Sequence, residues 1–305
     1  MEQSLRSQLL TRRTYNRPLD ETGTVFESFE QTIDRVINHQ KWLWERAQKR
    51  GIDYVQASEL EELRQLMLER KMLVSGRTLW LGGTEVAKRR EASQFNCSFT
   101  HVETVYDVVD VLWLLMQGCG VGFRPIVGQL TGFQKPIKQL EVIRSTRSAK
   151  DGEQHNTELY DEDTKTWTIR IGDSAEAWSK SIGKLMAHKF PAEKLILDFS
   201  QIRPAGERLK GYGWISSGDA SLATAYESIF RILNRRAGSL LSRIDILDIV
   251  NWLGTVLSSR RSAEIALFEY GEDEWQMFSV AKKGIGPNNN VQRFQSNNSL
   301  LFKHK

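Results

Sequence analysis

Apolar residues recur at helical spacing along the first part of the chain. Residues 26–50 carry large apolar side chains mainly three and four positions apart, which is typical of an amphipathic helix that Gly51 would end. A second helix is predicted over 57–73, with Ser58 as its cap. Residues 1–20 have no such period and are interpreted as an extended arm.

Beyond Gly83 the pattern changes to short apolar runs that alternate with helices. A strand over 95–99 is interpreted as buried, a buried helix follows over 105–116, and an extended segment begins at Gly120. This order predicts a parallel α/β unit. Further strands are predicted at 195–199 and 263–268, and helices at 174–189, 220–235, 243–257 and 272–281.

Two stretches depart from that alternation. Residues 125–195 include a polar segment at 145–165 and an edge-like alternating strand at 167–171, so they are interpreted as an inserted subdomain with a surface hairpin. Residues 282–298 are polar and are expected to be irregular. The chain is therefore predicted to be an α/β protein that begins with a helical region.

The amino-acid composition indicates an ordinary globular protein but does not favour any one function. The 305 residues are 40% hydrophobic and 26% charged, with a net charge of +4 that is spread along the sequence. This charge fits a small anionic ligand, and no nucleic-acid motif accompanies it, so no direct nucleic-acid partner is expected. No run of 18 apolar residues and no apolar leader is present, so we expect no membrane partner and a cytoplasmic protein.

The two cysteines, Cys97 and Cys119, exclude a disulfide framework and a zinc site of the usual kind. Cys97 stands between Asn96 and Ser98 in the predicted strand. It is either a small buried core residue or a redox thiol with polar neighbours. Cys119 either fills space or forms a dithiol with Cys97, and the first interpretation is favoured.

Cys119 lies inside a glycine-rich turn whose other members are Gly118, Gly120, Val121 and Gly122. These glycines could let the helix end turn back into a strand, or let the backbone approach a nucleotide closely.

Two cationic segments offer further candidates for ligand binding. The first is a glycine-rich loop that suits phosphate and could equally be a solvated surface loop; its candidate residues are Arg203, Gly206, Glu207, Arg208, Lys210 and Gly211. In the second, Arg260 and Arg261 follow a predicted helix, where they could contact a ligand or complement the helix C-terminus.

These segments, with Ser75–Thr84 and Ser296–Ser299, resemble in order the adenosylcobalamin-dependent (class II) ribonucleotide reductases. The resemblance implies an N-terminal helical region over 1–90. It implies that 91–305 is the first half of a ten-stranded α/β barrel, with an inserted effector-site subdomain at about 125–195. A monomer-like architecture is expected, because this insertion stands in for a partner subunit in monomeric members of the family.

The resemblance also implies a function. Ribonucleotides, expected to be triphosphates, would be reduced to deoxyribonucleotides by thiyl-radical chemistry with adenosylcobalamin and a thioredoxin-like reductant. Cys97 would be the catalytic reductant. Asn96, Ser98, Gly118, Gly120, Val121 and Gly122 would bind substrate. The two cationic segments would bind a deoxynucleotide effector.

The family's radical cysteine and second reducing cysteine have no counterpart here, because no Cys follows Cys119. We therefore expect an N-terminal piece, inactive alone and completed by a C-terminal half that is a separate chain or is joined by splicing. That half would hold most of the cobalamin site. The rival hypothesis is a catalytically silent, nucleotide-binding regulatory protein of the same fold.

Overall fold

A computed structural model describes residues 4–20, 22–146, 152–207, 209, 215–257, 264–285 and 289–303. The described chain divides into two compact units. The first unit ends at Asn96, and the second begins at Cys97.

The first unit is helical. It contains helices α1 (Leu5–Thr14), α2 (Phe29–Gln48), α3 (Tyr54–Leu68), α4 (Gly76–Leu81) and α5 (Glu85–Arg89), followed by a 3-10 turn at Glu91–Gln94. The apolar faces of α2, α3 and α4 meet in a small core built on Ile33, Val36, Met67 and Leu79.

Both predicted helices of this unit are present, with different ends. Helix α2 stops at Gln48, and Lys49 rather than Gly51 takes the left-handed conformation, at φ 56°. The prediction that Ser58 caps α3 is wrong. Asp53 caps it, because its side chain accepts from the backbone of Gln56 while the Gln56 side chain accepts from the Asp53 backbone.

The second unit contains two four-stranded sheets. The first is parallel throughout, in the order β1-β2-β7-β8, and the second has the order β3-β6-β5-β4. The strands are β1 (Cys97–Val102), β2 (Gly120–Pro125), β3 (Gln139–Ile143), β4 (Thr157–Asp161), β5 (Thr166–Arg170), β6 (Lys194–Asp198), β7 (Glu264–Glu269) and β8 (Ser296–Leu301).

Five helices and a second 3-10 turn, Val291–Phe294, complete this unit. The helices are α6 (Val105–Met116), α7 (Ala175–Ala187), α8 (Ala220–Arg235), α9 (Arg243–Gly254) and α10 (Trp275–Ser279). Helix α6 connects the parallel strands β1 and β2, which confirms the predicted parallel α/β unit. The predicted α/β class is therefore confirmed.

Four further local predictions are wrong. Residues 1–20 are not an extended arm, because helix α1 spans Leu5–Thr14. The segment 95–99 is not a buried strand, because Phe95 and Phe99 are 62% and 54% exposed and β1 lies at a sheet edge. Strand β5 alternates as predicted but is internal, because the hairpin strand β4 covers its outer side. The C-terminal polar stretch is not wholly irregular, since β8 pairs with β7 from Ser296 onward.

The parallel sheet has one covered face and one open face. Val121, Phe123 and Ala266 are fully buried on the face that α6 and α9 cover. The alternate residues of these strands face the other side of the sheet. Among them, Phe99, Gly122 and Ile265 share one row of the register, and Phe99 and Ile265 are each about half exposed. All-parallel sheets usually have both faces covered, so the open face is unusual.

Candidate functional site

Cys97 is the first residue of β1 and is exposed as a free thiol. Its partner in the parallel register is Gly120, and Ser98 lies beside Val121. The Ser98 hydroxyl donates to the carbonyl oxygen of Gly120 at 3.4 Å. The structure therefore brings the cysteine and the glycine segment together on adjacent strands, although 22 residues separate Ser98 from Gly120 in the sequence.

The glycine segment turns the end of α6 into β2. Gly118 takes φ 82°, a left-handed conformation in which a side chain would be strained. Gly122 leaves room for the ring of Phe99, because a Cβ atom there would lie 2.7 Å from Phe99 Cδ2. Val121 is 1% exposed, so its side chain belongs to the core and only its backbone is available to a ligand.

The two cysteines lie in different environments. Cys119 is fully buried, whereas Cys97 is exposed, and neither is in a disulfide. This agrees with the interpretation of Cys119 as a core residue.

The side chain of Asn96, the last residue of the first unit, accepts a hydrogen bond from Arg77. In the sequence, Arg77 stood out only as a member of the Ser75–Thr84 motif. Arg77 donates from Nε to the Asn96 side-chain oxygen at 2.7 Å and from Nη1 to the carbonyl of Ser93 at 3.1 Å. The residue that precedes Cys97 is therefore oriented by a side chain from the start of α4. Its chemical signal was a planar guanidinium within a motif that contains glycines, and the sequence could not identify Asn96 as its acceptor.

A charged network flanks the open face at the carboxyl ends of β2 and β7. Arg124 donates to Glu269 at 2.8 Å and to Glu272 at 3.0 Å, and Arg243 lies 3.4 Å from Glu272. The Lys303 ammonium bonds Glu269, and this bond is the largest cause that lowers the pKa of that carboxyl. The network supplies fixed charges near the open face and was not predicted.

The first cationic segment lies at the carboxyl end of β6. Arg203 pairs with the buried carboxylate of Asp173, with Nε 2.9 Å from Oδ2. Gly206 takes φ 92° and donates to the carbonyl of Ser216, while the Glu207 carbonyl accepts from the Ser216 amide. The other five predicted effector residues lie outside the described residues; they are Arg208, Lys210, Gly211, Arg260 and Arg261.

Two further arginines lie at the same edge of the second sheet, and sequence reasoning did not select them. Arg170 ends β5 and binds Asp198 at 2.7 Å, while Arg144 follows β3 and binds Asp219 at 2.7 Å. Ile143, Asp198 and Arg170 share one row of the register. The carboxyl edge of parallel strands is where α/β proteins commonly bind ligands.

Two protein-family models match the chain. The insertion domain of B12-dependent ribonucleotide reductase matches residues 140–233, and the ribonucleotide reductase alpha domain matches residues 4–84. Both models describe ribonucleotide reductases, and the first describes the B12-dependent (class II) enzymes. The resemblance predicted from the sequence motifs is confirmed.

Curated relatives in this family are adenosylcobalamin-dependent ribonucleoside-triphosphate reductases. Those of Lactobacillus gasseri and Lactobacillus leichmannii are 29% and 30% identical over 95% of the chain, and that of Euglena gracilis is 30% identical over 92%. A crystal structure of a B12-dependent (class II) ribonucleotide reductase matches with a TM-score of 0.75 and 26% identity, covering 96% of the chain.

The chain spans less than half the length of these class II reductases. It covers 44% of the two Lactobacillus proteins, 35% of the Euglena protein and 45% of the crystallised chain. No helix among the described residues has both the length and the apolar character needed to cross a membrane.

Two clefts among the described residues are candidates to hold adenosylcobalamin, on which the relatives depend. They enclose 570 and 680 Å³, volumes that suit drug-sized ligands. A corrin with its nucleotide arm is larger than such ligands. Neither cleft fits the cofactor.

Proposed function

We propose that this chain carries the substrate- and effector-binding part of a ribonucleotide reductase that acts on ribonucleoside triphosphates. The observation that carries the proposal is the exposed Cys97 thiol, which is paired with Gly120 at the edge of an open sheet face. The names of the curated relatives support the triphosphate substrate.

Cys97 would act as one of two reducing thiols. Replacing a ribose hydroxyl by hydrogen needs two electrons, which two thiols supply when they become a disulfide and the hydroxyl leaves as water. Cys119 is buried in the core and does not suit the second role. The second sulfur would come from sequence that corresponds to the part of the relatives beyond this chain.

The substrate would lie over the glycine segment. Gly120 and Gly122 have no side chains on the open face, so a sugar could approach the backbone of β2 closely. Ser98 and Asn96 flank Cys97 in the sequence, and Arg77 would act as a positioning residue by holding the Asn96 amide.

The open face of the parallel sheet would receive the remaining strands of the barrel. Phe99, Ile265 and Leu301 are 54%, 49% and 41% exposed there, an apolar surface that a complementary half would bury. That half, as a separate or joined polypeptide, would also hold most of the adenosylcobalamin site. The catalytic part would be inactive without it.

A deoxynucleotide effector would bind the insertion at the carboxyl edge of β3, β6 and β5. Arg144, Arg170 and Arg203 lie there, each paired with an aspartate. Effector phosphates would compete with these carboxylates for the guanidinium groups. Two cysteines outside any disulfide also suit a reducing compartment, so we propose the cytoplasm and a thioredoxin-like reductant as the enzyme's setting.

The test is the Cys97→Ser variant of the enzyme isolated from its native source, with whatever polypeptide accompanies it. Reduction of ribonucleoside triphosphates with adenosylcobalamin and a dithiol should fall at least about 100-fold. Deoxynucleotide effector binding, measured by calorimetry, should be unchanged, because the substitution leaves the arginines in place.

The matched control is Cys119→Ala, which removes the other thiol and should retain multiple turnovers. Normal multiple-turnover activity of Cys97→Ser would refute the role of Cys97. Effector binding without reduction in every wild-type preparation would instead favour a catalytically silent, nucleotide-binding regulator.

A further inference from the structure

The first unit contains a buried ion pair that the proposed chemistry does not use. Glu27 lies just before α2 and Arg35 lies within it, and their side chains are 7% and 13% exposed. Arg35 donates from Nε to one carboxylate oxygen at 2.8 Å and from Nη2 to the other at 3.0 Å. This two-point contact fixes the plane of the guanidinium group, so its other N–H groups point in defined directions.

The carboxylate of Glu27 is held in its charged form. Its Oε2 atom also accepts from the Arg17 amide and from the Thr32 hydroxyl, each at 2.9 Å. Burial by itself raises the pKa of Glu27, but the hydrogen bonds from its neighbours, led by Arg35, bring that pKa below its usual value. Glu27 is therefore an anion at neutral pH and keeps Arg35 in place.

The guanidinium group of Arg35 caps the C-terminal end of α4. Its Nη1 donates to the carbonyl oxygen of Gly82, and its Nη2 donates to the carbonyl oxygen of Leu79 at 2.9 Å. Carbonyl groups at the end of a helix lack partners within the helix, and a cation there also complements the helix dipole. Arg35 therefore supplies hydrogen-bond donors and a positive charge where α4 ends.

Helix α4 depends on such contacts because it is short. It has six residues, whereas isolated helices shorter than about 12 residues are marginal in water. The chain leaves α4 through Gly83, at φ 79°, where a Cβ atom would lie 2.6 Å from the carbonyl oxygen of Arg35 and 2.7 Å from its Cγ. A side chain at Gly83 would push Arg35 away, which gives this glycine of the Ser75–Thr84 motif a physical reason.

Helix α4 also carries Arg77, whose Nε donates to the Asn96 side chain at 2.7 Å. Arg77 and Leu79 lie within one turn of the helix, so a displacement of its C-terminal end moves both. A continuous series of contacts therefore runs from Glu27 to Asn96 through Arg35 and α4.

We propose that Arg35 is a positioning residue for the substrate site: fixed by Glu27, it holds α4 where Arg77 can orient Asn96. The proposal rests on the proposed function, in which Asn96 binds substrate. An ion pair that only stabilised the fold would change the resistance to heat, without changing how the folded enzyme binds its substrate. The two roles therefore predict different kinetics.

The experiment begins with Arg35→Lys in the enzyme isolated from its native source, with the polypeptide that accompanies it. A lysine keeps the charge beside Glu27 but lacks the planar fork that reaches the carboxylate and both α4 carbonyl groups together. For ribonucleoside triphosphates, kcat/KM should fall at least about tenfold, mainly through a higher KM, because Asn96 loses its orientation. Glu27→Gln keeps the shape of the anchor without its charge and should give a smaller loss in the same direction.

Asn96→Ala, alone and combined with Arg35→Lys, tests the route of the effect. If Arg35 acts through Asn96, kcat/KM of the double variant should match that of Asn96→Ala within about twofold. Losses that multiply in the double variant would overturn the proposal. Wild-type kcat and KM in a folded Arg35→Lys enzyme would overturn it as well.

The matched control is Arg64→Lys, in another paired arginine of the same unit. Arg64 lies on α3, its side chain is 22% exposed, and it binds Asp34 at 2.7 Å and Glu30 at 2.9 Å. Among the described residues it makes no bond to α4, so its substitution should leave kcat/KM unchanged within about twofold. Thermal melting confirms that each variant is folded at the assay temperature.

Hydrogen exchange of the α4 amides, measured by mass spectrometry, separates failure of this proposal from failure of the proposed function. Exchange should be at least about tenfold faster in Arg35→Lys than in Arg64→Lys, whether or not the enzyme reduces ribonucleotides. A wild-type enzyme without reductase activity would refute the proposed function, while faster exchange would still support the hold of Arg35 on α4. Equal exchange in the two variants would overturn the positioning role whatever the activity.

Discussion

Glu264 and Asp245 are both buried carboxyl groups, but among the described residues only Asp245 has hydrogen-bond partners for its carboxylate oxygens. Glu264 opens β7, is 2% exposed, and neither carboxylate oxygen has a hydrogen-bond partner among the described residues. Burial raises the pKa of Glu264 well above 4.5. Asp245 is equally buried, yet hydrogen bonds from Ser242, Arg235 and Arg236 overcome burial and lower the pKa of Asp245.

Glu264 makes the fold less stable as the pH rises. Because the folded-state pKa lies above the unfolded one, its contribution to stability is intact below about 4.5 and is progressively lost as the pH rises toward the folded value. Glu264→Gln cannot ionise and should raise the free energy of unfolding at pH 8 by on the order of 1 kcal/mol. Urea denaturation at pH 5 and pH 8 measures the difference.

Asp245→Asn is the control, with the opposite sign. The stability that ionised Asp245 supplies is present at neutral pH and is lost only in acid, so this variant should be less stable at pH 8. An unchanged or lower stability of Glu264→Gln at pH 8 would contradict the assignment of a neutral, uncompensated carboxyl.

The backbone at the C-terminal end of α8 lies very close to the backbone of the loop at residues 130–133. A Cβ atom on Gly132 would be 2.3 Å from the carbonyl carbon of Arg236 and 2.5 Å from the carbonyl oxygen of Leu233. The Gly132 amide donates to Ser239, and the Phe133 amide donates to Leu233. The contact is backbone on backbone, so neither side can yield by changing a rotamer.

Gly132→Ala should therefore destabilise the fold by at least about 2 kcal/mol, through displacement of α8 from the 130–133 loop. The free energy of unfolding from urea titration measures the effect. Gly51→Ala is the matched control, because no atom lies within 4 Å of its Cβ position, and it should change stability by less than about 0.5 kcal/mol. Equal effects of the two substitutions would rule out the clash.

The parallel sheet gives the second unit one open apolar face and two unpaired edges. Strands β1 and β8 are the edges among the described strands, and Phe99 and Ile265 lie on the open face. Open edges and exposed apolar surface both promote association between chains. The chain by itself is therefore expected to self-associate through this face.

Ile265→Lys should reduce that association by placing a charge in the centre of the open face, where Ile265 is 49% exposed. Multi-angle light scattering of the purified chain at increasing concentration measures the mass. Leu159→Lys is the control, because Leu159 is 69% exposed on the outer strand β4 of the other sheet. If both variants reduce the mass equally, the open face is not the surface responsible.

The sequence by itself determined the elements with a strong local period and the family. Helix α6 was predicted with the ends it has, because its apolar residues and its cap at Thr104 lie within one short segment. The order of the motifs from Ser75 to Ser299 indicated the class II reductases, which the comparisons confirm. These predictions are possible because each signal lies in a short stretch of sequence and does not depend on contacts with residues far along the chain.

Tertiary structure decided the rest, because the deciding partners are far apart in the sequence. The exposure of Cys97 follows from its place on the uncovered face of the parallel sheet, and its pairing with Gly120 spans a whole helix. Strand β8 has a polar sequence and forms because β7 supplies its hydrogen bonds. The bond from Arg77 to Asn96 and the burial of Glu264 are likewise products of folding, since no local pattern encodes either.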